Sequence, residues 1–218
     1  KTEKMIKNLE EDFPKFKELF SPVIICNAQG YREQLRLLGD DGMTCISIMP
    51  PGFQNFFDYF EGGLEAVTYA YYDHPEVFAE MAELIAADAM RRLDMALANG
   101  AESILTGGSG SITMQSPDLF DELSFPTIRK ITKMCKEAGV LCGIHSCGKE
   151  KHLIEKCANE TDLNYVNPLE VAPMGDCTLQ GCKQLYGDKL ALMGNLHTTQ
   201  IMLFGSVADV RRESLKAI

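Results

Sequence analysis

The chain has 218 residues, of which 45% are hydrophobic and 24% charged, values ordinary for a soluble globular protein. Its 31 acidic and 21 basic side chains give a formal net charge of -10, which argues against binding to nucleic acid or to an anionic membrane, because both need clustered Lys and Arg. No apolar run approaches the roughly 20 residues that cross a bilayer, the first residues are not signal-like, and the eight cysteines are scattered, so we expect a cytoplasmic protein with mostly reduced thiols.

Short apolar runs alternate with longer amphipathic stretches, which is the pattern of repeated βα units around a parallel sheet. Most of these runs are rich in Val, Ile, Leu or Cys, as strands covered on both faces should be. Six strands are predicted, at 22–27, 43–49, 103–106, 140–144, 163–166 and 190–194.

Helical spacing of apolar residues is clearest over 75–98, with Asp73 as the expected cap. A second helical region, 117–137, is expected to be interrupted near Phe125-Pro126, because proline restarts a helix, and to close at Gly139. Shorter helices are predicted at 149–158, 179–186 and 207–217.

Six strands with intervening helices fit either an open doubly wound sheet or part of a (β/α)8 TIM barrel, which typically needs about 250 residues. Because no repeat, low-complexity segment or linker interrupts the chain, residues 1–218 are predicted to form a single domain. The first residue is Lys rather than Met, which is expected of a processed product or of part of a longer chain, so the ends of this sequence need not be natural ends. We expect a fragment of a longer chain.

The most informative segment is His145-Ser146-Cys147-Gly148, which follows the predicted strand 140–144. Alternate residues of a strand share a face, so the imidazole and the thiol are expected to point the same way. Both groups are zinc ligands, and a zinc site that binds a thiol substrate favours its nucleophilic thiolate form. A His-x-Cys pair is more often structural, but its position at a strand end, where α/β folds place their chemistry, makes a metal site an equal alternative to a structural role.

A catalytic zinc site normally uses three protein ligands and keeps one position open. Glu170 follows the next strand and could reach the barrel mouth, the end formed by the carboxyl ends of the strands, as an oxygen ligand, or it could be a solvated carboxylate at a helix start. Cys177 and Cys182 lack the CxxC spacing, and we expect them to be packing or surface residues.

Two further strand ends carry candidate substrate-binding residues. Asn195 and His197 follow the predicted strand 190–194 and could orient a substrate, although Asn195 could instead cap the next helix. The loop from Gly107 to Ser111 follows another strand, and Ser109 and Ser111 could contact a substrate there. This loop lacks the Lys of a P-loop and the spacing of a dinucleotide fingerprint.

Three segments occur in a characteristic order: Ser116-Pro117-Asp118-Leu119-Phe120 leading to Phe125-Pro126, then His145-Ser146-Cys147-Gly148, then Gly194-Asn195-Leu196. From roughly residue 60 to the end, this set resembles the uroporphyrinogen decarboxylase superfamily. The His-x-Cys-Gly segment resembles its branch of corrinoid-dependent methyltransferases, of the methylcobalamin:coenzyme M type.

The resemblance implies a (β/α)8 barrel, partial in this chain, that binds Zn²⁺ through His145 and Cys147, with Glu170 as the candidate carboxylate ligand and a further cysteine beyond Ile218. It implies transfer of a methyl group from a methyl-corrinoid to a small thiol. Because the chain has no D-x-H-x-x-G corrinoid-binding signature, a separate corrinoid protein is the expected partner, and a homodimer is possible.

Two alternatives stay open. Porphyrinogen decarboxylation is the first, although the arginine-rich N-terminal motif and the central aspartate of the decarboxylases are not evident here, and the loop after strand 103–106 reads Gly-Gly-Ser-Gly-Ser. The second is a non-catalytic barrel that binds a corrinoid protein or dimerises.

Overall fold

The structure, a computed structural model, describes residues 3–19 and 26–218. In chain order its elements are α1 (Leu9–Leu19), α2 (Ala28–Leu38), a 3-10 turn (Gly39–Asp41), β1 (Ile46–Ser47), α3 (Phe53–Phe56), α4 (Gly63–Asp73), α5 (Pro75–Ala98), β2 (Ser103–Gly107), α6 (Pro117–Leu119), π1 (Phe120–Ser124), α7 (Phe125–Ala138), β3 (Leu141–His145), α8 (Lys151–Glu160), β4 (Tyr165–Leu169), α9 (Leu179–Tyr186), β5 (Ala191–Gly194), π2 (Thr198–Leu203) and α10 (Val207–Ala217). None of the helices described has the length and apolar character needed to span a membrane.

The five strands of the described residues form one parallel sheet in the order β1-β2-β3-β4-β5, with helices between each pair of successive strands. A doubly wound sheet reverses its strand order at a switch point, whereas a barrel adds each new strand beside the last. The observed order therefore confirms an α/β fold of the partial (β/α)8 barrel type.

Alternation along the strands separates two faces. Ile104, Cys142, Ile144 and Val166 are fully buried in the main core, which the surrounding helices share. The opposite face carries Tyr165, whose ring lies against Gly143 of β3 because glycine leaves room for it. Parallel register then places the last residue of β3, His145, directly beside Asn167 of β4.

A second core forms around the N-terminal half. Its members are mostly aromatic, and the rings of Phe56 and Phe60 pack against Phe78 at centroid distances of 5.4 and 5.5 Å. A parallel bridge between Ile6 and Phe60 ties the start of the chain to this core. The cluster anchors α3, α4 and α5 beside the sheet.

The predicted strands 103–106, 140–144, 163–166 and 190–194 are confirmed with small shifts as β2 to β5. The strand predicted at 43–49 is reduced to Ile46–Ser47, and most of the strand predicted at 22–27 lies outside the described residues. The capping role predicted for Asp73 is wrong, because Asp73 ends α4 and His74 precedes α5. Helices α1 to α4 are not predicted from the sequence.

The interruption predicted near Phe125-Pro126 is confirmed. A short π-helix, π1, ends at Ser124, and α7 begins at Phe125 with Pro126 in its first turn, where a proline fits. The predicted closure is also confirmed, since Gly139 caps α7 in the left-handed conformation with a φ of 71°.

Candidate functional site

The imidazole of His145 lies at the carboxyl end of β3 and contacts three side chains. Its Nδ1 is 2.9 Å from Oδ1 of Asn167, and its Nε2 is 3.4 Å from Oγ of Ser109 and 4.0 Å from Sγ of Cys147. His145 and Cys147 are both partly buried. The structure therefore brings the two predicted zinc ligands together, with a hydroxyl at the same nitrogen.

The backbone that follows Cys147 is held by two side chains from other loops. Thr113 donates its hydroxyl to the carbonyl of Cys147 at 3.1 Å and accepts the amide of Lys149 at 3.0 Å. Glu170 accepts the amide of Gly148 at 2.7 Å through Oε2. These contacts fix where the thiol is presented, although β3 itself has ended at His145.

The next turn is held in the same way. Asp176 accepts the amides of Glu150 and Lys151 at 2.8 and 3.0 Å through Oδ1 and so supports the start of α8. A carboxylate near the first amides of a helix is favourable, because these amides lack partners within the helix and carry partial positive charge.

Glu150 is a fully buried carboxyl group with no hydrogen-bond partner for either oxygen in the described residues. Burial, reinforced by the negative charges of Glu170 and Asp176, raises the pKa of Glu150 to about 8. Burial therefore favours the neutral, protonated form of this group in the folded chain, three residues after Cys147.

The loop after β2 is shaped by a buried polar network. Ser111 is fully buried, and its hydroxyl donates to the carbonyl of Gly108 at 2.7 Å and accepts the amide of the same residue at 2.8 Å. Gln115 then donates to the carbonyl of Ser111 at 2.6 Å and to the hydroxyl of Ser124 at 2.9 Å, and Ser124 donates to the carbonyl of Pro51 at 2.7 Å. Of the two serines predicted to bind substrate, Ser111 supports the loop and only Ser109 faces His145.

Asn195 and His197 follow β5, as predicted, at the same end of the sheet. The ring of His197 caps π2 by accepting the amides of Thr199 and Gln200 at Nδ1, at 3.3 and 3.2 Å. The capping role considered for Asn195 therefore belongs to His197. Nε2 of His197 is buried, and no partner for it lies in the described part of the chain.

Within residues 3–19 and 26–218, no group of three His, Cys, Asp or Glu side chains is arranged to hold a metal ion. His145 and Cys147 form a pair, and Glu170 is joined to that pair through the backbone of Gly148. Cys177 and Cys182 are buried, which confirms their packing role, and burial raises the pKa of both thiols.

Several residues of this site are missing from the sequence prediction. Asn167, Thr113, Asp176 and Glu150 contact the His145-to-Lys151 segment or lie within it, yet none of them belongs to a recognisable motif. Among these four residues, only Asn167 could have been found from the sequence. It directly follows the predicted strand 163–166, and the ends of neighbouring strands in a parallel sheet meet at one edge.

Together these features define a class: a parallel α/β barrel segment with an imidazole, a thiol and a carboxylate at the carboxyl ends of neighbouring strands. Residues 32–218 match the family model for uroporphyrinogen decarboxylase (URO-D). Because the match covers most of the chain, this protein belongs to the uroporphyrinogen decarboxylase family.

Among solved structures, the chain is similar to a methyltransferase from Methanosarcina mazei, with a TM-score of 0.66 and 14% sequence identity. The similarity covers 87% of this chain and 53% of the other, so this chain spans about half the length of that structure. At this identity the likeness establishes the fold. No curated protein sequence matches the chain significantly.

Proposed function

We propose that this chain supplies part of the active site of a zinc-dependent methyltransferase that moves a methyl group from a methyl-corrinoid to a small thiol. The observation that carries the proposal is the 4.0 Å approach of His145 Nε2 and Cys147 Sγ at the carboxyl end of β3. Family membership and the name of the similar methyltransferase structure support a reaction of this class.

The two side chains fit one zinc ion. Zinc lies about 2.3 Å from a cysteine sulfur and about 2.0–2.1 Å from a histidine nitrogen, so two ligands of one tetrahedral ion are about 3.6 Å apart. The spacing of 4.0 Å between His145 and Cys147 needs only a small adjustment. When bound, zinc would act as a Lewis acid that favours the thiolate form of a thiol substrate.

The residues of this chain then have distinct roles. His145 and Cys147 would hold the ion, and Glu170 is the third candidate because its carboxylate is held at the residue next to Cys147. Ser109 is exposed beside the imidazole and can donate to a bound substrate. Asn195 and His197 would contact the substrate from the end of β5. A separate corrinoid protein would deliver the methyl group at this mouth.

The test compares zinc content and methyl transfer in matched cysteine variants. Cys147→Ser is expected to lose bound zinc and methylcobalamin-dependent methylation of small thiols together, whereas Cys26→Ser, which alters an exposed thiol, should keep both. His145→Gln should behave like Cys147→Ser. Unchanged zinc content in Cys147→Ser would overturn the assignment of the metal ligands.

Uroporphyrinogen decarboxylation is the second candidate, favoured by the description of the matching family. It predicts turnover of uroporphyrinogen that persists when a chelator removes metal ions, so the same preparations separate the two reactions. A non-catalytic barrel predicts that no thiol is consumed with methylcobalamin even when zinc is bound.

A further inference from the structure

The side chains of three adjacent strands form a chain of contacts that ends at the imidazole of His145. Asn167 of β4 is the cross-strand neighbour of His145 in β3, and its Oδ1 lies 2.9 Å from Nδ1 of the ring. The amide nitrogen of Asn167 donates to the thioether sulfur of Met193, in β5, at 3.8 Å. We propose that Asn167 is a positioning residue that fixes His145 as the Nδ1–H tautomer, and that Met193 fixes the orientation of the Asn167 amide.

Met193 decides which way the amide points. A thioether sulfur only accepts hydrogen bonds, so the side of the amide that faces it must be the NH₂ group. Rotating the amide by 180° would place its oxygen against the sulfur, with two acceptors and no hydrogen between them. The oxygen of Asn167 therefore faces His145, and this oxygen can only accept.

The direction of that hydrogen bond fixes the tautomer of the His145 ring. Nδ1 of His145 must carry the proton, which leaves the lone pair of the neutral imidazole on Nε2. The neighbours of Nε2 agree with this assignment, because the hydroxyl of Ser109 and the thiol of Cys147 can both donate to it. The free lone pair thus points toward the thiol.

This arrangement matters for the metal, and to that extent the inference rests on the proposed function. Histidine ligands of metal ions almost always donate the other ring N–H to a neighbouring acceptor, and loss of that acceptor typically lowers metal affinity about 10–100-fold. In this chain a neutral amide occupies the place of that acceptor, so a carboxylate at position 167 should substitute for it.

The first experiment needs no metal. Long-range ¹H–¹⁵N NMR spectra of the metal-free protein at pH 8 report which ring nitrogen of each histidine carries the proton. We expect Nδ1–H for His145 in the unaltered protein and in Asn167→Asp, and a shift toward Nε2–H in Asn167→Ala. An Nε2–H ring in the unaltered protein, or no change in Asn167→Ala, would overturn the inference.

Two further variants sharpen this measurement. Met193→Leu keeps the side-chain volume but removes the acceptor, so His145 should become a mixture of tautomers, and an unchanged ring would refute the role of Met193. Asn164→Ala is the matched control at the other end of β4, where Oδ1 of Asn164 accepts the amide of Cys142 at 2.8 Å. This control variant should leave the tautomer of His145 unchanged.

The second experiment measures zinc affinity by competition with a chromophoric chelator. Asn167→Ala should bind zinc about 10–100-fold more weakly than the unaltered protein. The affinities of Asn167→Asp and Asn164→Ala for zinc should stay within a few-fold of that of the unaltered protein. If the unaltered protein binds no zinc, the proposed function fails and the tautomer is still decided by NMR. If it binds zinc and Asn167→Ala binds equally well, the positioning role fails.

Discussion

Thr113 and Gly148 are packed so closely that a Cβ atom added to Gly148 would lie 2.0 Å from Oγ1 of Thr113. Gly148 also has a φ of 103°, in a region that other residues rarely adopt. The residue after Cys147 must therefore be glycine for two independent reasons, and both concern the way in which the thiol is presented.

Gly148→Ala should disturb the loop that carries Cys147. The backbone conformation alone should cost about 1–3 kcal/mol, and the contact with Thr113 adds to it. We expect lower stability in urea unfolding and loss of zinc binding. In a Thr113→Ala background the same change should cost less, because the hydroxyl has been removed, and strict additivity in this double-mutant cycle would contradict the packing argument.

Glu170 can be tested as an anchor and as a ligand with two substitutions. Glu170→Gln keeps an oxygen that can accept the amide of Gly148, whereas Glu170→Ala removes it. Amide exchange at Gly148 should remain slow in the first variant and become faster in the second, since a hydrogen bond to a charged group contributes about 1.5–3 kcal/mol. Both variants should bind zinc more weakly. Fast exchange in Glu170→Gln would show that the charge, rather than the acceptor, holds the loop.

Glu150 should make stability depend on pH in an unusual direction. Its pKa in the folded protein is raised to about 8 from an ordinary value of 4.5, so between these values the unfolded chain loses the proton and the folded chain keeps it. The contribution of Glu150 to the free energy of unfolding is therefore undiminished below about pH 4.5 and falls progressively as the pH rises to about 8.

Glu150→Gln removes this dependence. Relative to the unaltered protein, the variant should gain stability between pH 5 and pH 8, measured as the midpoint of urea unfolding at each pH. The matched control is Glu155→Gln, the same change on an exposed residue of α8, which should follow the unaltered protein. Parallel pH profiles for Glu150→Gln and the unaltered protein would show that Glu150 ionises normally.

Gly143→Ala tests the packing below the site. An added Cβ would lie 2.1 Å from two ring atoms of Tyr165, so the ring or the strand must move, and overpacking of this kind typically costs about 1–3 kcal/mol. Tyr165→Phe removes the 3.1 Å hydrogen bond to Ser103 and leaves that buried hydroxyl without this partner, which costs about 1–3 kcal/mol. Urea unfolding measures both, and a Gly143→Ala protein as stable as the original would mean that the ring has another place to go.

The sheet is more predictable from the sequence than the helices that precede it. Strands β2 to β5 are short apolar runs covered by helices, and such runs stand out from the polar segments between them. The aromatic residues around α3 and α4 show no single period, because Pro50, Pro51, Gly52 and the pair Gly62-Gly63 break the segment into short pieces. Their packing is decided by contacts with α5, which no local pattern reveals.

The same distinction holds at the site. The closeness of His145 and Cys147 follows from residues two positions apart, so a local rule is enough to predict it. The contact between His145 and Asn167 depends on the register of two strands that are 22 residues apart in the chain, and the anchoring of Gly148 depends on a loop at the same separation. Such contacts are visible only in three dimensions.

Strand β5 has β4 as its only hydrogen-bonded neighbour in the described part of the chain, so the backbone groups along its other side can template a further strand. A strand that pairs there in the same parallel sense would end beside Gly194 and point its next residues toward Asn195 and His197. Because parallel strands end at one edge of a sheet, pairing at this side of β5 would bring further side chains to the edge that carries His145 and Asn195.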